Sequence, residues 1–229
     1  VAITRVTAAA GDSGFSSTTT LAISAGSAAG RVVLGQFDND NNTEHLISAA
    51  YNAVACTLGT EENYTAVTLA NVAYLIGDAN VASGTNNIVG TFTDGNHHPG
   101  GIAVGYNGVS AISIVAQGHG DTGAGPPVPI SLTGTGFNSG DQAVAFFAFF
   151  GAASATMTDT SGTTFLTQAG VTFRYIGSEL TASGSSATIS GTPSVRVEWI
   201  GFMFRLQPLS AGTLKTVNGL ATASIKTIQ

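Results

Sequence analysis

Charge is scarce in this chain. Only 9% of its 229 residues are Asp, Glu, Lys or Arg, against about a quarter in an ordinary soluble domain. So few charges do little to hold folded copies apart, and the sequence predicts a subunit that packs against copies of itself. The seven basic residues, Arg5, Arg31, Arg174, Arg196, Arg205, Lys215 and Lys226, are scattered. No cluster of them could neutralise several phosphates, which argues against a nucleic-acid partner. The single cysteine, Cys56, rules out an internal disulfide, and its neighbours Val54, Ala55 and Leu58 suggest a small buried hydrophobe. Long apolar runs are missing too. The longest, residues 143–153, is too short to cross a bilayer and is broken by Gly151, and the first residues lack a basic region followed by an apolar run. No membrane partner is expected.

Catalytic signatures are also lacking. There is no Gly-x-Ser-x-Gly elbow, no phosphate-binding Gly-rich loop with Lys, and no His-Glu-x-x-His. Glu44, Glu61, Glu62, Glu179 and Glu198 are raw material for glycoside hydrolysis without any signature of pairing. The expectation is a protein that is not an enzyme.

What the chain does have is short apolar or alternating segments between Gly, Asn, Asp, Ser and Pro clusters, the mark of an all-β fold. The clear strand candidates are 18–23, 31–37, 67–75, 87–92, 111–116, 130–135, 142–150, 171–176, 187–190 and 195–206. In the run from Phe146 to Phe150, alternation puts Phe147 and Phe149 on one face and Phe146 and Phe150 on the other, so both faces should be buried. Arg196 and Glu198 share one side of the 195–206 strand and read as a surface pair. One stretch departs from the pattern: in residues 43–54, Leu46, Ile47, Ala50, Tyr51 and Val54 fall at helical spacing behind an Asn41/Glu44 cap, which fits a short helix as well as a strand. The Gly/Pro-rich residues 118–129 read as a connector. Beyond Pro208, Leu-Lys-Thr-Val at 214–217 recurs as Ile-Lys-Thr-Ile at 225–228 around Asn218-Gly219. This predicts a β-sandwich over residues 1–208 and a C-terminal extended arm or hairpin over 209–229.

Two polar loops stand out. Residues 37–45 hold the densest set of oxygen ligands, and Asp38, Asp40 and Glu44 could hold a calcium ion, although the spacing is not that of an EF-hand; the simpler reading is a solvated turn. Residues 94–99 carry His97 and His98 beside Asp94, but adjacent side chains of an extended segment point apart, which disfavours zinc. His119 and Asp121 could join them only through folding. No other cofactor is implied.

The order of a Thr-rich strand at 17–24, Arg-Val-Val-Leu-Gly at 31–35, Tyr-Asn-Ala-Val-Ala at 51–55, Ile-Ser-Ile-Val at 112–115 and Trp-Ile-Gly-Phe-Met-Phe-Arg-Leu-Gln-Pro at 199–208 resembles the jelly-roll, lectin-like sandwich domains of tailed-phage virion proteins and some bacterial surface proteins. Ala53 departs from the pattern, where Asn-Gly would be more typical. The resemblance implies a jelly-roll-like antiparallel sandwich located on a virion surface or outside the cell. It also implies a role as a capsid decoration or cement protein whose partners are its own copies and the major capsid or another virion protein. The alternative expectation is a carbohydrate-binding or adhesion module that meets glycans through loops 38–44 and 94–98.

Overall fold

The computed structural model describes residues 1–41, 43–64, 68–123, 126–150, 154–169, 172–210, 216–217 and 220–221. The first half of the chain forms β1 (Thr4–Asp12), β2 (Thr18–Ser24), β3 (Val32–Asn39), β4 (Leu46–Tyr51), β5 (Val54–Ala55), β6 (Thr57–Leu58), β7 (Glu62–Tyr64), β8 (Thr68–Ile76), β9 (Thr85–Phe92) and β10 (Pro99–Asn107). The second half forms β11 (Val109–Asp121), β12 (Ile130–Thr135), β13 (Gln142–Phe150), β14 (Met157–Ser161), β15 (Thr163–Ala169), β16 (Phe173–Thr181), β17 (Ser186–Pro193) and β18 (Glu198–Pro208). No helix occurs among the described residues.

The pairings between these strands are antiparallel. The first half makes an inner sheet in the order β1-β10-β3-β8-β6, with β7 also on β8, and an outer sheet β2-β9-β4-β5. The second half makes an inner sheet β11-β18-β13-β16-β15 and an outer sheet β12-β17-β14. One plan therefore runs twice: β1-β10-β3-β8 matches β11-β18-β13-β16, and β2-β9-β4 matches β12-β17-β14.

Each half is a sandwich-like body with its own core. Leu21, Ile23, Tyr51, Ile88 and Phe92 of the outer sheet meet Val33, Phe37 and Ala73 of the inner one. Leu132 and Ile189 meet Phe147, Phe149 and Met203 in the second half. A third core joins the halves, where Val32, Leu34, Ile102 and Val104 pack on Phe146, Tyr175, Phe202 and Phe204. The inner sheets are thus covered on both faces, which explains why all eight residues of β3 are buried and why β13 reads as an apolar run. The aromatic run divides as its alternation requires, with Phe146 in the seam between the halves and Phe147 and Phe149 in the second sandwich. The outer strand β12 alternates strictly, buried then exposed.

Residues 43–54 are a hairpin and not a helix. A bulge between Leu46 and Ser48 leaves Leu46, Ala49 and Tyr51 buried, while Ile47 and Val54 of the helical stripe are exposed. Asn52 and Ala53 both hold positive φ, 49° and 65°, so the turn is of the two-residue type that matches strand twist. The expected connector at 118–129 begins later, because Gly118, His119, Gly120 and Asp121 extend β11. Beyond Pro208, β19 (Thr216–Val217) pairs with β20 (Leu220–Ala221); apart from Leu209, Ser210 and these four, the expected arm lies outside the described residues.

Candidate functional site

Three connections of the first half meet at one end of the strands: the loop from β1 to β2, the loop from β3 to β4, and the loop from β9 to β10. Ser13 N donates to Pro99 O at 2.8 Å and Ser16 N to His97 O at 3.4 Å. Asn41 Nδ2 lies 2.7 Å from His97 Nε2, and His98 N donates to Asp40 Oδ1 at 3.0 Å. The two polar loops singled out in the sequence, 38–44 and 94–98, are therefore neighbours in space.

His97 sits between two carboxylates, with Nδ1 3.5 Å from Asp40 and Nε2 3.7 Å from Glu44. Glu44 is buried, its Oε2 accepting from Asn39 Nδ2 at 2.8 Å. Burial, and then the neighbouring Asp94 carboxyl, pushes the Glu44 carboxyl above its usual range, while the interaction with Glu44 and the Asn96 N–H hold Asp94 below its own. Beside it, His45 Nδ1 lies 2.8 Å from Glu61 Oε2. Phe15, 74% exposed, rests its ring 4.4 Å from the His98 ring.

Of the carboxylates offered for calcium, Asp40 and Glu44 flank His97, but Asp38 does not join them. It lies on β3 in phase with Val32 and Leu34, faces the seam between the halves, and takes the Gln36 amide on Oδ1. Among the described residues, no group of three or more His, Cys, Asp or Glu side chains is placed to hold a metal ion.

A second polar cluster joins the halves. Glu62 of β7 accepts from Gln117 and His119 of β11, and the Tyr64 ring lies 5.0 Å from that of His119. Arg196 grips Asp121 through two hydrogen bonds, and not Glu198 as strand alternation suggested; it holds the Asp121 carboxyl down to about 2. His119 and Asp121 thus have partners of their own, away from the contacts that His97 and His98 make. On the outside of the first outer sheet, Asn52, Asn86, Asn87 and Thr85 line a shallow groove of about 540 Å³. Cys56 packs beside the first core, and burial pushes its thiol up to about 11, which leaves it unreactive at neutral pH.

Phe15 carries no signal of periodicity. Its one mark in the sequence is its setting, a large aromatic between Gly14 and Ser16-Ser17, where turn residues leave little to bury it. Comparison with family models, with curated protein sequences and with solved structures returned no match.

Proposed function

We propose that this chain is a structural subunit of a virion, a capsid decoration or cement protein that works by packing against its own copies and a major shell protein. The strand order carries the reading. Taking β1 to β5 and β8 to β10 as eight successive strands, the order β1-β10-β3-β8 facing β2-β9-β4-β5 supports a jelly-roll reading, the double Greek key common in capsid and lectin domains. The second half follows the same plan with three strands in its outer sheet. Two such bodies share one core, and the low charge leaves their surface suited to close packing. Interfaces of roughly 1,600 Å², repeated over a lattice, reinforce a shell without any single strong contact. Banding particles on a density gradient and quantifying this chain against the major shell protein tests the idea. A fixed high ratio supports it, and absence from the particle band removes it.

A second reading is a glycan-binding module on a fibre or cell surface. It is favoured by the exposed Phe15 ring beside His98, with Asp40 and Asn41 bonded to the His97–His98 segment, since sugars are held by an aromatic face together with carboxylates and amides. Saturable glycan binding lost in Phe15→Ala, assayed with and without a calcium chelator, supports it. A binding curve unchanged by that substitution counts against it.

A further inference from the structure

The seam between the halves is apolar over most of its extent and carries one polar knot. Asp12, Gly100 and Asp38 are cross-strand neighbours on β1, β10 and β3. Tyr175 of β16 comes from the opposite sheet and lays its hydroxyl over Gly100, 2.0 Å from where a Cβ would stand. Gln36 Nε2 donates to Asp38 Oδ1 at 2.8 Å. Gln36, Asp38 and Tyr175 are each 0% exposed. No protein group hydrogen-bonds Asp38 Oδ2, Gln36 Oε1 or Tyr175 Oη.

Among the described residues, none brings a positive charge to Asp38. Next to it, β10 presents Gly100 and β8 presents Ala70. Among the described residues, the ionisable groups facing the knot are Asp12, which accepts from Thr172 N, and Tyr175. Arg174 precedes Tyr175 and by strand alternation projects from the other face of β16. An ionised carboxylate in such a place is costly, whereas the neutral acid loses far less on leaving water.

We propose that the seam is a proton-dependent lock, in which Asp38 sits between the two halves as a neutral acid and weakens their packing when it ionises. Burial pushes the Asp38 carboxyl up to about 8 against the pull of the Gln36 amide. Burial, with Asp38 and Asp12 nearby, also holds the Tyr175 hydroxyl well above its ordinary value, so it stays neutral over the same range. The sign follows from proton counting. The unfolded chain releases this proton near 3.8 and the folded chain near 8. The stabilisation is therefore complete below the lower value and is lost as pH rises through the upper one, by up to about tenfold in the folding constant per pH unit.

Urea unfolding of the full chain from about pH 5 to about pH 9 tests this, with wild type, Asp38→Asn and Tyr175→Phe compared. Wild type should lose its folding constant steeply with pH, Asp38→Asn should lose little, and Tyr175→Phe should keep the wild-type slope. Parallel slopes for wild type and Asp38→Asn would overturn the lock. Should Asp38→Asn fail to fold, infrared spectra of wild type labelled at aspartate decide the matter: a protonated-carboxyl band that persists at neutral pH and fades in alkali supports the proposal, and its absence sinks it.

Discussion

Substituting Gly100 by Ala isolates the fit of the two halves at one atom. Gly100 lies in a strand and is not among the positive-φ glycines, so its backbone accepts a side chain, and Ala would by itself favour the strand by roughly 0.5–1 kcal/mol. The obstacle is Tyr175. A Cβ at position 100 would stand 2.0 Å from Tyr175 Oη, 3.1 Å from Tyr175 Cζ and 3.0 Å from Asp12 Cβ. The ring cannot swing clear, because it is fully buried with its centroid 5.8 Å from that of Phe173. Overpacking of this kind costs about 1–3 kcal/mol, and the 2.0 Å approach puts Gly100→Ala at the upper end. Tyr175→Phe alone removes a buried hydroxyl that has no protein partner, so it should be neutral or stabilising by about 1 kcal/mol. In the double variant the worst contact is gone and the 3.1 Å contact to Cζ remains. The cost of Gly100→Ala should then fall by about 1–2 kcal/mol. Urea midpoints at constant slope, followed by circular dichroism, give all four corners of the cycle. An equal cost of Gly100→Ala with and without the Tyr175 hydroxyl would refute the packing argument, as would a neutral Gly100→Ala in wild type.

Ala53 sits at φ 65° in the β4–β5 turn, so Ala53→Gly should raise stability by about 1 kcal/mol, read as a shift in thermal midpoint. Asp141 is nearly buried and accepts from both Arg205 Nε at 2.6 Å and Asn138 N at 2.7 Å. Asp141→Ala should cost about 3 kcal/mol in urea unfolding by stranding the guanidinium. Phe147, fully buried with its ring 5.9 Å from that of Trp199, should cost about 3–5 kcal/mol on truncation to Ala and shift the fluorescence of that tryptophan.

The parts of the fold legible in the sequence are those whose burial is simple. β12 alternates because one face is covered, and β3 and β13 run apolar because both are. β10 escaped notice for the opposite reason. Its Pro99, Gly100, Gly101 and Gly105 spell a turn, yet glycine is needed there because Tyr175 Oη, Gln36 O and Ser24 O each come within 2.9 Å of a would-be Cβ. At the candidate site, the loops 38–44 and 94–98 were visible as compositions, but their meeting at His97 joins residues more than fifty positions apart, which no local pattern encodes. The inward turn of Asp38 was legible in principle: extended from Val32, the same alternation places it in phase with Leu34 and Gln36 on a core-facing side.

The scarcity of charge becomes a spatial statement once the layers are known. The outward side of the second outer sheet presents Ser131, Thr133, Thr135, Thr188, Ser190 and Thr192, with Thr133 and Thr188 hydroxyls 2.8 Å apart, and no ionisable group on β12 or β17. At the opposite surface, β2 and β9 turn outward Thr20, Ala22, Asn87 and Val89, again without charge. Ion pairs lie elsewhere, as at Arg5–Glu179 between the halves and Arg31–Asp78 at a loop. Two hydroxyl- and amide-covered faces impose little desolvation penalty compared with Lys or Glu, so they are the surfaces on which a neighbouring subunit costs least to seat. A lysine at Thr133 on one face, or at Thr20 on the other, is exposed and should change stability by no more than about 0.5 kcal/mol. If these faces carry the packing proposed for the subunit, either Thr133→Lys or Thr20→Lys should shift sedimentation toward smaller species while the melting temperature stays put. Assembly unchanged in both would move the contact to the strand edges at β1 and β11, where unpaired backbone groups offer the alternative.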